Sequence, residues 1–325
     1  MHSGVLPPKR VGDDLDIERR AGKGYAHHTF EREPPGFSGP SRAIHASNPQ
    51  VPPVTMPNIR FHQVDAFTDR PFGGNPAAVC VLDDPISEPA MQTIAREMNL
   101  SETAFVLPPD ADGLRHLRWF TPTTEVPLCG HATLATGHVL REAGANMPLR
   151  FRTASGELML DHSEAGGILI DFPADVPEIC SAPPRLAGAL GSEEPQEVLR
   201  GQKGWVVRLS SEQAVRAAAP DFRAVKEIDL GPLAVVMSVT ATSDEEGVDF
   251  ASRVFAPWAG VDEDPVTGVA HTSLAPYWSE RLGREDLEAR QVSERGGKLT
   301  LRWTGDRVHL IGQSVSVAEG TILLP

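Results

Sequence analysis

Hydrophobic and polar positions divide most of the chain into short strands around two unusual helices. Four segments in the first half show the alternation or the short apolar run of a strand: 59–67, 77–82, 104–107 and 114–120. Residues 131–143 and 269–282 are predicted to form helices that are small or apolar on nearly every side, and Pro276 should kink the second one. Because a helix that is apolar all round is usually buried, each is predicted to be the centre of a strand-rich unit.

Two stretches of the chain, 118–131 and 253–271, repeat one pattern. Each contains Arg-x-Phe-x-Pro, then Glu-x-Pro-x-x-Gly, and then the start of one of the two predicted helices. The similarity continues from residues 151–160 to residues 291–301, where each segment reads as a strand, a glycine-containing turn and another strand. An internal duplication with a long period explains these matches, and it predicts two similar domains whose helix N-termini could face each other across a cleft.

The predicted fold is α+β, with two pseudo-symmetric domains that each consist of a curved, mostly antiparallel sheet or barrel around a central helix. A doubly wound parallel sheet would need many more crossover helices. The predicted domains are residues 58–173 and 174–313, and residues 314–325 are a candidate addition to the first. Residues 1–57 are rich in Pro, Gly, His and charged residues and lack apolar periodicity, which predicts a disordered extension. The alternative is a mis-assigned start, with Met56 as the initiator.

Composition narrows the functional classes. The chain has 325 residues, of which 40% are hydrophobic and 23% are charged, as is ordinary for a globular protein. Its net charge of -14 argues against binding to nucleic acid or anionic membranes, and no apolar run is long enough to span a bilayer. The three cysteines, Cys80, Cys129 and Cys180, match neither a disulfide framework nor a zinc pattern, so a cytoplasmic location is expected.

Residues 262–271 (Asp-Glu-Asp-Pro-Val-Thr-Gly-Val-Ala-His) have the pattern of an anion site. Pro265 restricts the backbone, Gly268 permits a close approach, and the helix predicted next begins with N–H groups that lack internal partners. Such a helix start attracts a carboxylate or phosphate, and the pKa of Asp264 beside it is expected to rise. An acidic turn before a capped helix is the structural alternative.

Five motifs resemble the PhzF family of phenazine-biosynthesis-type proteins, and the resemblance as a whole covers about residues 58–325. The motifs are Phe61–Phe67 (FHQVDAF), Phe72–Pro76 (FGGNP), Leu100–Val106 (LSETAFV), Phe120 and Pro122 with Cys129–Thr133 (CGHAT), and Asp262–His271 (DEDPVTGVAH). The resemblance implies a fold like that of diaminopimelate epimerase, with two pseudo-symmetric domains and an active site between them. It also implies that neither a cofactor nor a metal is used.

The resemblance assigns roles to three side chains. Glu102 matches the family's general acid/base, which has to be poised near neutral pH, and burial beside Phe105 would raise its pKa. His131 and Asp264 match the positions that contact the polar groups of the substrate. A carboxylate in a turn, a helix-capping histidine and an acidic turn are the corresponding structural alternatives.

Four further positions belong to the predicted substrate site. The N–H groups at and after Gly130 and Gly268 would hold a carboxylate or a developing enolate. Asn75 could serve the substrate or a turn, and the turn is favoured because Asn and Pro both favour turns. Val269 stands where many family members have Ser, so a contact to a substrate amine or hydroxyl is expected to be lost, which argues against the phenazine-precursor substrate more than against the general chemistry.

The predicted function is a cofactor-independent isomerase that moves a proton within a small cyclic carboxylate, such as a dihydro-hydroxyanthranilate-like acid, by general acid/base catalysis. An amino-acid racemase or epimerase of the same fold is an alternative. That chemistry commonly uses two opposed cysteines, whereas the repeat partner of Cys129 is Thr267, and a lone cysteine is more often a packing residue. A small-molecule-binding protein without turnover is the other alternative.

The expected partner is the small carboxylate, and a homodimer is plausible because family members often form dimers.

Overall fold

The computed structural model describes residues 58–164, 166–231 and 234–324, and the predicted extension, residues 1–57, lies outside these ranges. The strands are β1 (Asn58–Ala66), β2 (Asn75–Val81), β3 (Glu102–Val106), β4 (Leu114–Phe120), β5 (Glu125–Val126), β6 (Leu149–Thr153), β7 (Gly156–His162), β8 (Ile168–Pro173), β9 (Glu178–Ile179), β10 (Glu197–Arg200), β11 (Gly204–Arg208), β12 (Val236–Thr242), β13 (Phe250–Ala256), β14 (Val261–Asp264), β15 (Asp286–Gln291), β16 (Gly297–Trp303), β17 (Arg307–Gly312) and β18 (Ser314–Leu323). The helices are α1 (Glu88–Met98), α2 (Gly130–Glu142), α3 (Leu186–Leu190), α4 (Glu212–Ala217), α5 (Phe222–Lys226) and α6 (Gly268–Leu282). None of the helices in the described ranges is both long and apolar enough to cross a membrane.

The two halves of the fold pair their strands in the same way. The order of neighbours runs from β18 through β1, β2, β3, β4, β6, β7 and β8, and then through β17, β16, β15, β13, β12, β11 and β10 to β9. The parallel pairs are β2–β3 and β4–β6 in the first half, and β11–β12 and β13–β15 in the second. Since the remaining pairs between described strands are antiparallel, the predicted α+β fold with its pseudo-symmetric, mostly antiparallel architecture is confirmed.

Helices α2 and α6 are the buried centres of the two halves, as their all-round apolar pattern predicts. Every residue from His131 to Leu140 is buried in α2, and every residue from Ala270 to Ser279 is buried in α6. Gly137 lets α2 approach the sheet closely, because a Cβ at this position would lie only 2.5 Å from Leu160 Cδ1. This burial of apolar surface is the main stabilising contribution of each half.

The repeated Arg-x-Phe-x-Pro and Glu-x-Pro-x-x-Gly motifs form the same local structure twice. Arg118 Nε lies 2.7 Å from Glu125 Oε1, and its guanidinium stands 5.1 Å from the ring centre of Phe120. In the second half, Arg253 Nε lies 2.7 Å from Glu263 Oε1 and its guanidinium is also 5.1 Å from the ring of Phe255. The ion pair and the cation–π contact fasten the short strands β5 and β14, which lead into the central helices, to β4 and β13.

Removing Arg253 is expected to destabilise the protein more than removing Arg118. Only 14% of the Arg253 side chain is exposed, against 32% for Arg118, and Arg253 Nη1 also donates to three backbone carbonyls of the 215–218 segment. Arg253→Ala should lower the free energy of unfolding by about 3 kcal/mol, and Arg118→Ala by about 1 kcal/mol. Urea unfolding of both variants measures the difference, and equal losses would contradict the expectation.

The predicted strand–turn–strand units are present in both halves, but their correspondence is offset from the one expected. Strand pairing ends at Thr153 with Gly156 in the first hairpin and at Gln291 with Gly297 in the second. Thr153 is therefore the structural counterpart of Gln291, and the expected match of 151–160 to 291–301 was wrong by two residues at its start. The reason is that the first turn has two residues, 154–155, whereas the second has five, 292–296.

The end of the chain returns to the first half of the fold. Strand β18 runs antiparallel to β1, from Leu323 opposite Asn58 to Ser314 opposite Ala66. The pairing register shifts once, between Gln63 and Val64. At its other edge β1 pairs with β2, which places Asn75, the first residue of β2, opposite Ala66 at the end of β1.

Candidate active site

The predicted site residues come together where β2, β3 and β14 meet the first turns of α2 and α6. Glu102 is the first residue of β3 and His131 is the second residue of α2. Glu102 Oε2 lies 3.3 Å from His131 Nε2. The His131 side chain is 6% exposed and the Glu102 side chain is 18% exposed, so the pair is shielded from bulk water while part of the carboxyl group remains accessible.

The neighbours of His131 determine where its proton resides. Nδ1 lies 3.2 Å from the amide nitrogen of Asn75, which cannot accept a hydrogen bond, and 3.5 Å from Cys129 Sγ, which accepts only weakly. Nδ1 is therefore the acceptor, and the hydrogen is assigned to Nε2, which faces Glu102 and lies 3.1 Å from Ser101 Oγ. Burial lowers the pKa of His131 to about 3, so the ring is neutral and donates one hydrogen bond into the site.

Asn75 connects the two halves of the fold. Its side-chain nitrogen donates to Asp264 Oδ1 at 2.8 Å and to the carbonyl oxygen of Val266 at 2.9 Å, and its side-chain oxygen accepts from Ser101 Oγ at 3.3 Å. The residue is fully buried and begins β2. The favoured expectation of a turn role was therefore wrong, because the local Gly-Asn-Pro pattern carries no information about partners 189 and 191 positions away.

Burial raises the pKa of Glu102 to about 7, and the negative charge of Asp264 adds to the effect. Hydrogen bonds from Ser101 and Cys129 oppose part of this rise. The expected contribution of Phe105 was wrong: it packs in the separate cluster of Ile59, Cys80, Met91 and Phe120 beneath α1, and three positions along a strand reverse the side-chain direction.

The pKa of Asp264 is also raised, to about 6, in the expected direction but not mainly by the negative charge that was expected to cause it. Burial is the main cause, and the charge of Glu263 adds a smaller contribution. Hydrogen bonds from Thr267 Oγ1, at 2.5 Å, and from Asn75 favour the charged form and oppose the rise. Two carboxyl groups with raised pKa values thus share one buried site, which is typical of proton-transfer centres.

The first turns of α2 and α6 converge, as the duplication predicts. A Cβ added at Gly130 would lie 3.4 Å from the Cα of Gly268, and one added at Gly268 would lie 3.5 Å from the Cα of Gly130. Neither N-cap residue, Cys129 or Thr267, makes a side-chain hydrogen bond to its own helix. The positive ends of two helix dipoles therefore face one region, an arrangement suited to an anion.

The second half replaces the reactive pair with apolar residues. Matching strand registers make Val236 the counterpart of Glu102, and the repeated glycines make Val269 the counterpart of His131. Val269 packs against a cluster that includes Val236 and Val254. The site is therefore chemically asymmetric although the backbone is pseudo-symmetric.

Val269→Ser is expected to change substrate preference, because it returns a hydroxyl to the first turn of α6. Loss of apolar contacts with the Val236 cluster should also lower stability by about 1 kcal/mol. Binding of a panel of small acids, measured for wild type and variant by calorimetry, tests the first effect. The same affinity order for both proteins would contradict it.

Several residues of the site were not singled out by sequence reasoning. Ser101 stands next to Glu102 in the Ser-Glu-Thr motif, so its position in that motif was the available signal. Cys129, expected to be a packing residue, is buried but lies within the site, and burial raises the pKa of its thiol well above the ordinary range. Gln291 lies on β15, and no local pattern marks it.

One cluster has ligand atoms close enough for a metal. Ligand atoms of Glu102, Cys129 and His131 all lie within 4.8 Å of one another. Metal-bound histidines normally donate their second ring N–H to a carboxylate or a carbonyl, whereas Nδ1 here faces the amide nitrogen of Asn75. The hydrogen-bonding surroundings of His131 therefore suit a neutral donor better than a metal ligand.

The sequence and the fold are both similar to those of known proteins. Residues 64–320 match the family described as phenazine biosynthesis-like protein, PhzC-PhzF. An uncharacterized isomerase of Pseudomonas aeruginosa is 48% identical over 268 residues, which covers 82% of this chain and 99% of that protein. The crystal structure of a PhzF family protein from Enterococcus faecalis aligns with a TM-score of 0.77 and 41% identity, over 82% of this chain and 100% of that chain.

A duplicated α+β fold with paired central helices is the epimerase-like fold. A hydroxyproline epimerase from Agrobacterium vitis shares it with a TM-score of 0.53 at 11% identity, over 82% of this chain and 93% of that chain. Within this fold class the chain belongs to the PhzF family, and the resemblance carried by the five sequence motifs is confirmed.

Proposed function

We propose that the protein is a cofactor-independent isomerase in which Glu102 moves a proton between two carbon atoms of a small cyclic carboxylate. The observation that carries this proposal is the asymmetry of the site. One half supplies a buried carboxyl group with a pKa near neutrality and a neutral histidine donor, while the equivalent positions of the other half are Val236 and Val269. A single acid/base is what an isomerisation on one face of a substrate requires.

In the proposed reaction, the substrate carboxylate is held by the N–H groups at the starts of α2 and α6. Ionised Glu102 removes a proton from a carbon next to an unsaturated system, and the electron pair of the broken C–H bond spreads into that system. Backbone N–H groups near Gly130 and Gly268 and the Nε2–H of His131 stabilise the negative charge. The proton on the Glu102 carboxyl group exchanges with solvent, and Glu102 then gives a proton to a different carbon, so the product is an isomer and the enzyme is unchanged.

Amino-acid racemisation by two opposed thiols has weaker support. Thr267 occupies the position opposite Cys129, and its hydroxyl donates to Asp264. Burial keeps the pKa of the Cys129 thiol high, which disfavours the thiolate that such a mechanism uses. A single-base isomerase agrees better with both observations.

Proton exchange in D2O, followed by NMR, tests the proposal. The panel contains small cyclic unsaturated acids and free amino acids. Deuterium in a cyclic acid together with a rearranged product is the expected result. Exchange at the α-carbon of an amino acid would instead favour the racemase, and binding of a panel member without any exchange would favour a binding protein.

A further inference from the structure

The turn of the β15–β16 hairpin is the clearest departure from pseudo-symmetry near the site. Its counterpart in the first half, 154–155, has two residues, whereas this turn, 292–296, has five. The added length lets the turn reach from the second half of the fold to the first. Residues of this turn, and Gln291 just before it, contact both segments that carry the Asn75–Asp264 bridge.

On the second-half side, hydrogen bonds fix the segment 264–267. Gln291 Nε2 donates to the carbonyl oxygen of Asp264 at 2.6 Å, and Gln291 Oε1 accepts from the N–H of Thr267 at 2.9 Å. Ser293 Oγ donates to the carbonyl oxygen of Pro265 at 2.7 Å. Gln291 Nε2 also lies 3.4 Å from Thr267 Oγ1, and because Gln291 is fully buried, its hydrogen bonds are made without competition from water.

On the first-half side, the same turn fixes the two glycines before Asn75. Arg295 Nε donates to the carbonyl oxygen of Gly74 at 2.8 Å, and Nη2 donates to that of Gly73 at 2.9 Å. The N–H of Gly74 donates to the carbonyl oxygen of Gly296 at 2.8 Å. Arg295 Nη2 also lies 2.8 Å from the buried carboxylate of Asp65, which anchors the guanidinium from behind.

Packing leaves one side of the turn open. Residues 292–298 line a cavity of about 560 Å³, together with Phe67, Arg70 and Gln313. None of the predicted site residues lines this cavity within the described part of the chain. Because solvent-accessible space lies on that side, the hydrogen bonds to 264–267 and to Gly73 and Gly74 carry much of the turn's placement.

We propose that Gln291 and Arg295 are positioning residues that fix Asn75 and Asp264 relative to each other across the two halves of the site. Gly74 is covalently bonded to Asn75, and Asp264 begins the segment 264–267, so fixing these backbone segments also fixes the two side chains. Both polar backbone groups of Gly74 are engaged by the turn, which leaves Asn75 little freedom, and the groups engaged by Gln291 lie on and just beyond Asp264. The purpose of this relative placement, but not its existence, rests on the proposed function, in which Glu102 needs a pKa near neutrality. Burial is the main cause of that pKa, and the negative charge of Asp264 raises it further.

Gln291→Met and Arg295→Lys test the proposal. Methionine keeps the length of Gln291 but makes none of its hydrogen bonds. Lysine keeps the charge of Arg295 but cannot reach two carbonyls and a carboxylate in one plane. The matched control is Arg302→Lys, since Arg302 lies on the same hairpin and pairs with Asp286 at the surface. The readout is the titration of the Glu102 carboxyl carbon by NMR in protein labelled at the glutamate side chains, with Glu102→Gln identifying the signal.

In both test variants the Glu102 midpoint should fall from about 7 by roughly one pH unit or more, because Asp264 moves away and water enters. Arg302→Lys should leave it unchanged. A merely structural role would lower the melting temperature of the folded test variants without moving the midpoint, and that result would overturn the proposal. If Gln291→Met does not fold, Arg295→Lys and Gln291→Asn, which keeps both functional groups on a shorter chain, decide the question by the same titration.

The titration needs no substrate. Its outcome is therefore separable from that of the proposed function: a shifted midpoint in a protein that catalyses no exchange supports the positioning role and rejects the isomerase. An unshifted midpoint in an active isomerase rejects the positioning role and supports the isomerase.

Discussion

We expect Glu102→Gln to lower the rate of proton exchange between substrate and D2O by about 10²–10⁴-fold, the usual contribution of a general acid/base. Glutamine preserves the shape of the side chain and can still face His131 Nε2, but it can neither accept nor deliver a proton at neutral pH. Substrate binding should change much less than turnover, because the proposed contacts to the substrate carboxylate come from the starts of α2 and α6. Exchange rate and dissociation constant, measured on the same preparation, separate the two effects.

Glu157→Gln is the matched control for this experiment. Glu157 is 60% exposed and pairs with Arg150 on the surface of the β6–β7 hairpin. Its replacement removes the same charge without touching the site and should leave exchange unchanged. If Glu102→Gln retained more than about a tenth of the wild-type exchange rate, Glu102 would not be the group that transfers the proton.

Stability of the folded protein is expected to decrease between pH 5 and pH 8, and Glu102 is expected to cause much of the decrease. Its pKa is about 7 in the folded state and 4.5 in an exposed chain, so between these values the folded protein binds more protons than the unfolded one. The contribution is fully present below the unfolded pKa and is lost as the pH rises through the folded pKa. It amounts to about 3 kcal/mol for Glu102, and Asp264, with a pKa raised from 3.8 to about 6, acts in the same direction at lower pH.

Glu102→Gln should therefore be more stable than wild type at pH 8, by up to about 3 kcal/mol, and nearly equal to it at pH 5. The physical reason is that glutamine has no charge to bury. Urea unfolding of both proteins across this range gives the two pH profiles. Parallel profiles would show that the Glu102 carboxyl group is not held out of water. That result would contradict the proposed rise of its pKa.

A large part of the fold could be predicted from local sequence. The two helices apolar on every side had to be buried, and the repeated Arg, Phe and Glu positions of 118–125 and 253–263 form the same ion pair and cation–π contact twice. These features depend on residues close together in the chain. Glu102, His131 and Asp264 were identified by motif resemblance, and they lie at one site.

Tertiary structure decided the features that depend on partners far apart in the chain. Asn75 looked like a turn residue because its neighbours are Gly and Pro, yet its partners are Asp264 and Val266, and the pairing of β1, β2 and β3 placed it there. Phe105 is near Glu102 in sequence but faces away from it, since side chains alternate along a strand.

The sequence by itself thus determined the duplication and the buried helices, because periodicity and repeated contiguous motifs encode them directly, and motif resemblance singled out Glu102 as the candidate acid/base. Only the tertiary structure decided which side chains surround Glu102 and how the 291–296 segment joins the two halves. Burial and hydrogen bonds between distant segments set these features, and no local pattern of Gln291 or Arg295 specifies a partner more than 20 residues away.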